Sequence, residues 1–200
     1  MQINHSATMD NIMNLLNGSL GKEVIAGITK QTGASEDEAQ SVASTALPAM
    51  LGALQRNANN QEGAQGILNA LQSKHDGSIL DNLPDFFGNG DTRDGNGILG
   101  HVLGGKKEVV AQSISNKTGV SSGTVSSIMA SLAPILMGYL GKQSRSQQVG
   151  DGNGLSDLLG GLLGGQSGGD ALSGLLDQNG DGKLGIDDAA GFLGGLFGKK

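Results

Sequence analysis

The sequence predicts an all-α protein, a helical bundle of two related three-helix units followed by a Gly/Leu-rich helical tail. Three observations carry this. Apolar residues recur at helical spacing and no stretch alternates with the two-residue period of a strand. Capping residues and turn glycines punctuate the chain where helices would begin and end. Finally, laid over itself at an offset of 86 residues (Thr118 on Thr32), the chain matches without a gap.

In the first unit, Ile12, Leu15 and Leu16 form a short apolar stripe ending near Gly18. Val24, Ile25 and Ile28 form a second, stopped by Gly33. Ser35 and Glu38 have the spacing of a capping box, in which a serine oxygen and a glutamate satisfy each other's free backbone amides at a helix start. The third helix opened there meets Pro48, which lacks an amide proton and crowds the preceding turn, so a kink or restart is expected before Met50, Leu51 and Leu54. Ile67, Leu68 and Leu71 continue a helix, and Ile79, Leu80 and Leu83 start another ahead of Pro84. Gly88 to Gly97, with Asp91 and Asp94 among its glycines, reads as a solvated linker.

The second unit repeats the first. Ile98, Gly104, Val110, Ile114, Thr118, Gly119, Ser121, Pro134 and Gly138 stand where Ile12, Gly18, Val24, Ile28, Thr32, Gly33, Ser35, Pro48 and Gly52 stand in unit one. These are apolar periodic residues, turn glycines and prolines, the types a shared backbone requires, and they point to a duplication. The organisation is therefore residues 1–90, 91–150 and a tail 151–200. Asp-Gly-Asn-Gly occurs at Asp94 and at Asp151, each time just before an apolar stripe, as a turn leading into a helix. In the tail, Leu155, Leu158, Leu159, Leu162 and Leu163 share one helical face.

Composition narrows the function classes. With no cysteine there is no disulfide framework, thiolate nucleophile or cysteine-based zinc site. A net charge of -6 with scattered basic residues argues against nucleic acid or a membrane surface as partner. Residues 1–10 lack a basic, then apolar, leader, so a cytoplasmic location is expected, with leaderless secretion the alternative.

One motif carries specific chemistry. From Asp177 to Asp188 the residues fall in the register of a twelve-residue EF-hand loop, where alternate positions aim oxygens at a hard cation. Asp177, Asn179 and Asp181 supply positions 1, 3 and 5. Gly182 makes the sharp turn, Lys183 offers its backbone carbonyl at 7, and Leu184 takes the apolar position. Asp188 stands at position 12 where glutamate is usual, and its shorter arm weakens bidentate binding, as in the loop's resemblance to the dockerin-type EF-hand. The expected cofactor is Ca2+.

The remaining candidates are weaker. Thr118 to Ile128 resembles the turn and recognition helix of a helix-turn-helix, which makes a DNA-binding regulator the alternative function. Phosphate contact there needs basic neighbours, and the matching stretch of unit one is Ser35-Glu36-Asp37-Glu38. His5, His75 and His101 lie far apart, outside any metal or triad spacing, and are expected at the surface or its boundary. No residue set specifies a reaction, and a non-enzymatic role is expected. At the C-terminus Phe192, Leu193, Leu196 and Phe197 cluster on one helical face; packing on the Leu155 to Leu163 stripe, self-association or a protein partner would cover it.

The pattern from Leu15 to Leu54, with Thr32-Gly33 before a capped helix and Pro48 beyond, recurs at Thr118-Gly119 and Pro134. It resembles the bacterial proteins grouped as domain of unknown function 937, over both units, and the Gly/Leu-rich tail is similar to that of the YidB-like relatives. The resemblance implies a helical bacterial protein, commonly cytoplasmic, and brings no catalytic residue with it.

Overall fold

The structure, a computed structural model, describes residues 16–89 and 91–164. Helix α1 spans Ser19–Thr32, α2 Glu36–Ala58, α3 Gln61–Ser73, α4 Leu83–Gly88, α5 Arg93–Leu103, α6 Lys107–Thr118, α7 Ser122–Ser146 and α8 Gly152–Leu162. Short 3-10 turns at Ser78–Asp81 and Gly104–Lys106 join them, and no strand occurs among the described residues.

The duplication holds atom by atom at the helix ends. Gly33 and Gly119 end α1 and α6 in the left-handed conformation, at φ 74° and 76°. Their amides donate to the carbonyls of Thr29 and Ser115 at 2.9 and 2.8 Å. Thr32 and Thr118 turn their hydroxyls back onto Ile28 and Ile114 at 2.7 and 2.8 Å. Two residues on, Ser35 and Ser121 cap α2 and α7 by accepting the amides of Glu38 and Thr124, both at 3.2 Å. In unit one the box is complete, because Glu38 in turn accepts the Ser35 amide at 2.8 Å. That bond and the Ser35 hydroxyl lower the Glu38 carboxyl below its ordinary value.

The correspondence continues past the stretch that the sequence alignment matched. Asn60 caps α3 by accepting the Gly63 amide at 2.7 Å, and Asp151 caps α8 by accepting the Gly154 amide at 2.9 Å. Beyond the caps, Ala64, Ile67 and Leu68 are buried on α3 as Leu155, Leu158 and Leu159 are on α8. Here the offset is 91 residues (Asp151 on Asn60), since α7 and its exit are longer than α2 and its exit.

Of the two outcomes expected at Pro48 and Pro134, a kink or a restart, the restart does not occur, since α2 and α7 continue past them. Other expectations change. Pro84 occupies the first turn of α4, where its missing amide proton costs nothing, so Leu83 begins that helix and the Ile79-Leu80 stretch is a separate 3-10 turn. The segment read as a solvated linker is helical from Arg93, with Thr92 at the N-cap position and Asp94 in the first turn rather than ahead of the helix. A bidentate pair between Arg93 and Asp91, at 2.7 Å, sets the chain just before that start. Within it Gly95 is buried, because a side chain there would collide with the carbonyl of Ala130 on α7.

The two central helices, α2 and α7, lie against each other and carry most of the core, including Met50, Leu54, Ile128, Met129, Leu132 and Leu140, each at most 1% exposed. Helices then cross between units: α1 packs on α7, α6 on α2, α3 on α7 and α8 on α2. The Ser131 hydroxyl on α7 donates across to Gln31 of α1 at 2.8 Å. Serines of α7 thus also serve the interior, since Ser131 and Ser144 are both buried. α7 is long and apolar enough to cross a bilayer, and most of it is enclosed by the other helices, as a core helix is.

Candidate functional site

Among the described residues, a cleft of about 600 Å3 lies between α3 and α5. On α3 the residues facing it are Gly63, Gly66, Ile67, Asn69, Ala70 and Ser73, which recur at helical spacing along one face. On α5 the same logic brings Asp94, Gly97, Ile98, His101 and Val102 to the facing wall. Leu54 and Asn57 of α2, Met137 of α7, Arg93 of α5 and the Lys74-His75 pair after α3 complete the lining. Asn57 is fixed by donating its side-chain amide to the Val102 carbonyl at 3.0 Å. Gly66 and Gly97 have open space where a side chain would stand, so they lower the walls.

One end of the cleft is polar. After α3, the backbone amides of Lys74 and His75 both donate to Ala70, at 3.0 Å, which turns the chain sharply. Gly141 on α7 lets the His75 carbonyl approach so closely that any side chain at position 141 would overlap it. The imidazole is held at 8% exposure, with Nε2 4.0 Å from Oδ2 of Asp94, whose side chain is 57% exposed. Burial pushes the His75 pKa below its ordinary 6.5, against the pull of Asp94 and with the push of Lys74. His75 is therefore neutral at pH 7. Outside this end, Asp76 is pulled down to about 2 by the hydroxyl and amide of Ser78 and by Arg145.

His75 corrects the sequence expectation, and His101 meets it. His75 is a buried wall residue and His101 an exposed one on the same cleft, while His5 lies outside the described residues. Spacing along the chain could not show this, since α3 and α5 meet only through α2 and α7. Among the described residues, no group of three or more His, Asp or Glu side chains is close enough to hold a metal ion. Ser73, the hydroxyl nearest this end in sequence, donates to the Asn69 carbonyl at 2.6 Å and is engaged in its own helix. Nothing here pairs a nucleophile with a base.

The other sequence-predicted sites fall as follows. Asp177, Asn179, Asp181, Lys183 and Asp188 lie outside the described residues. At the helix-turn-helix-like corner, Ser121, Ser122 and Gly123 are exposed, while Val125, Ile128 and every residue from Met129 to Gly138 are buried. Ser121 and Thr124 bond each other at 2.8 Å, and Ser127 bonds the Gly123 carbonyl at 3.1 Å. At this corner Ser121, Ser122, Gly123 and Ser127 are the residues of the first turns that are exposed to solvent. Leu155, Leu158 and Leu159 are buried on α8, which packs on α2 and α3, and the tail expected to lie on that stripe is outside the described residues.

The family model described as a bacterial protein of unknown function, DUF937, matches residues 14–143, a span from the start of unit one to near the end of α7. No curated protein matches the chain, and no solved structure does.

Proposed function

This chain belongs to the bacterial DUF937 family, and on that footing we propose that it works by binding rather than by catalysis, as a helical interaction protein that also takes up calcium. The cleft between α3 and α5 is the recognition site. The observation that carries this reading is the lining itself. An apolar floor of Leu54, Ile67 and Met137 lies under a polar rim, in a volume typical of ligand sites. The polar end holds an imidazole and a carboxylate with no nucleophile engaged to either. Ligand-observed NMR with a fragment library tests it. Binders should be lost in Gly66→Trp, whose indole would fill the open wall, and retained in Gly123→Trp, which lies away from the cleft. Binding that ignores Gly66→Trp overturns the assignment.

Calcium is the second half of the proposal. Asp177, Asn179, Asp181 and Asp188 supply four oxygen side chains and Lys183 a carbonyl, a donor set of hard oxygens that fits Ca2+. A lone loop with aspartate at its last position should bind with a dissociation constant on the order of micromolar to tenths of millimolar. We assign Phe192, Leu193, Leu196 and Phe197, which share one helical face, to a protein partner or a second copy of the chain. A cytoplasmic role is part of the same reading.

A further inference from the structure

We propose that the cleft is built to take a primary ammonium group on an aliphatic stem, an inference that rests on the cleft being the recognition site. Two groups at its polar end lack partners. The His75 side chain, more than nine-tenths buried, and the Asp94 carboxylate make no hydrogen bond among the described residues. At 4.0 Å their atoms are too far apart to bond directly, and near enough to share one donor-rich group between them. An ammonium has three N–H donors and a positive charge. It can give one bond to the carboxylate and one to a neutral imidazole nitrogen.

Among the described residues, Asp94 is the one carboxylate in the lining, which also holds Arg93 and Lys74. His75, kept neutral by burial, does not neutralise Asp94. The nearby Arg93 is already matched by Asp91 through a bidentate contact at 2.7 to 3.1 Å, and its side chain is 91% exposed. Lys74 and His101 stand exposed on the rim, where water screens them. A carboxylate or phosphate head would meet Asp94 as a like charge beside a buried histidine that resists protonation. A metal ion would find only two side chains. The stem then lies over Leu54, Ile67, Ile98 and Met137, which line the cleft beyond the polar end. A free alkylamine and a lysine side chain of a partner present the same chemistry.

The test is calorimetric titration of the intact chain at pH 7.5 with n-hexylamine, n-hexanol, hexanoate and Nα-acetyl-lysine amide. Hexylamine should bind at least tenfold more tightly than hexanol, and hexanoate should not bind. Asp94→Asn, an exposed and nearly isosteric change, should weaken hexylamine about tenfold and leave hexanol unaffected, the size expected for one charged hydrogen bond. Lysine amide matching hexylamine supports a polypeptide source, and hexylamine alone supports a free amine. Equal binding of hexanol and hexylamine, both lost in Gly66→Trp, overturns the ammonium while the cleft stands. Hexylamine binding unchanged in Asp94→Asn does the same. Probes indifferent to Gly66→Trp overturn both.

Discussion

Gly95 on α5 lies over the backbone carbonyl of Ala130 on α7, so close that a β-carbon at position 95 would overlap the carbonyl oxygen. Backbone cannot yield as the end of a side chain can. Gly95→Ala should therefore push α5 off its seat and cost about 1–3 kcal/mol. That corresponds to a fall in melting temperature of roughly 3–10 °C. Gly100→Ala on the same helix meets open space and should stabilise by up to about 1 kcal/mol through helix propensity alone. Thermal denaturation of the two variants checks the sign of each; equal effects would remove the close contact from the account.

Gly33 and Gly119 offer a test of the duplication. Both hold left-handed backbone at the end of a helix with empty space where a side chain would go, so strain is the only cost of alanine there. Each substitution should destabilise by about 1–2 kcal/mol, and the two should agree within about 0.5 kcal/mol in urea denaturation. A large difference would mean that the two corners carry different loads despite matching geometry.

Acidification should act through His75 before it acts through the carboxylates. In the unfolded chain His75 titrates near its ordinary 6.5, and in the folded protein lower, because burial opposes the charge. The unfolded state then binds more protons between the two values. Stability is full above about pH 6.5 and declines as pH falls below it. His75→Gln should flatten the melting-temperature profile between pH 7 and 5.5. Asp76, held to about 2 by Ser78 and then Arg145, and Asp91, held to about 2 by Arg93, act in a separate window. Their contributions are present above the usual carboxylate range and are lost only as pH drops through it toward 2. A profile identical in wild type and His75→Gln would place the histidine in water.

For the loop, calorimetry should show calcium binding to the intact chain and none to Asp177→Ala or Asp181→Ala, since each removes one of four oxygen side chains. Without the ion, Asp177, Asp181, Asp187 and Asp188 repel one another in a short stretch, and coordination relieves this. Calcium should accordingly raise amide hydrogen-exchange protection across residues 189–198. Protection unchanged by chelator, in a chain that binds the ion, would make the loop a local clamp with no hold on Phe192 to Phe197.

What the sequence made legible was what is decided within a few residues. The Ser35–Glu38 box and the Gly33 and Gly119 stops are each set by neighbours one turn away, and each is found where the spacing put it. The match of α3 to α8 was hidden because the exit from α7 is longer, which breaks a constant offset. Composition misled over residues 88–97, where glycine signalled a loop although Gly95 is there for a close helix contact. The candidate site was not legible at all. His75 and Asp94 belong to different elements, and only the packing of α3 and α5 over α2 and α7 brings them to 4.0 Å.

The crossing of helices between units has a consequence for biosynthesis. As the chain leaves the ribosome, α1, α2 and α3 emerge first and can pack on one another, yet they also cover surfaces of α6, α7 and α8. Val24 and Leu47, which border Leu132, Ile135 and Leu136 of α7 in the finished protein, therefore wait for partners not yet translated. At ordinary elongation rates of about 5–20 residues per second, the delay is on the order of ten seconds. A protein with this connectivity completes its core only once α7 and α8 have been made.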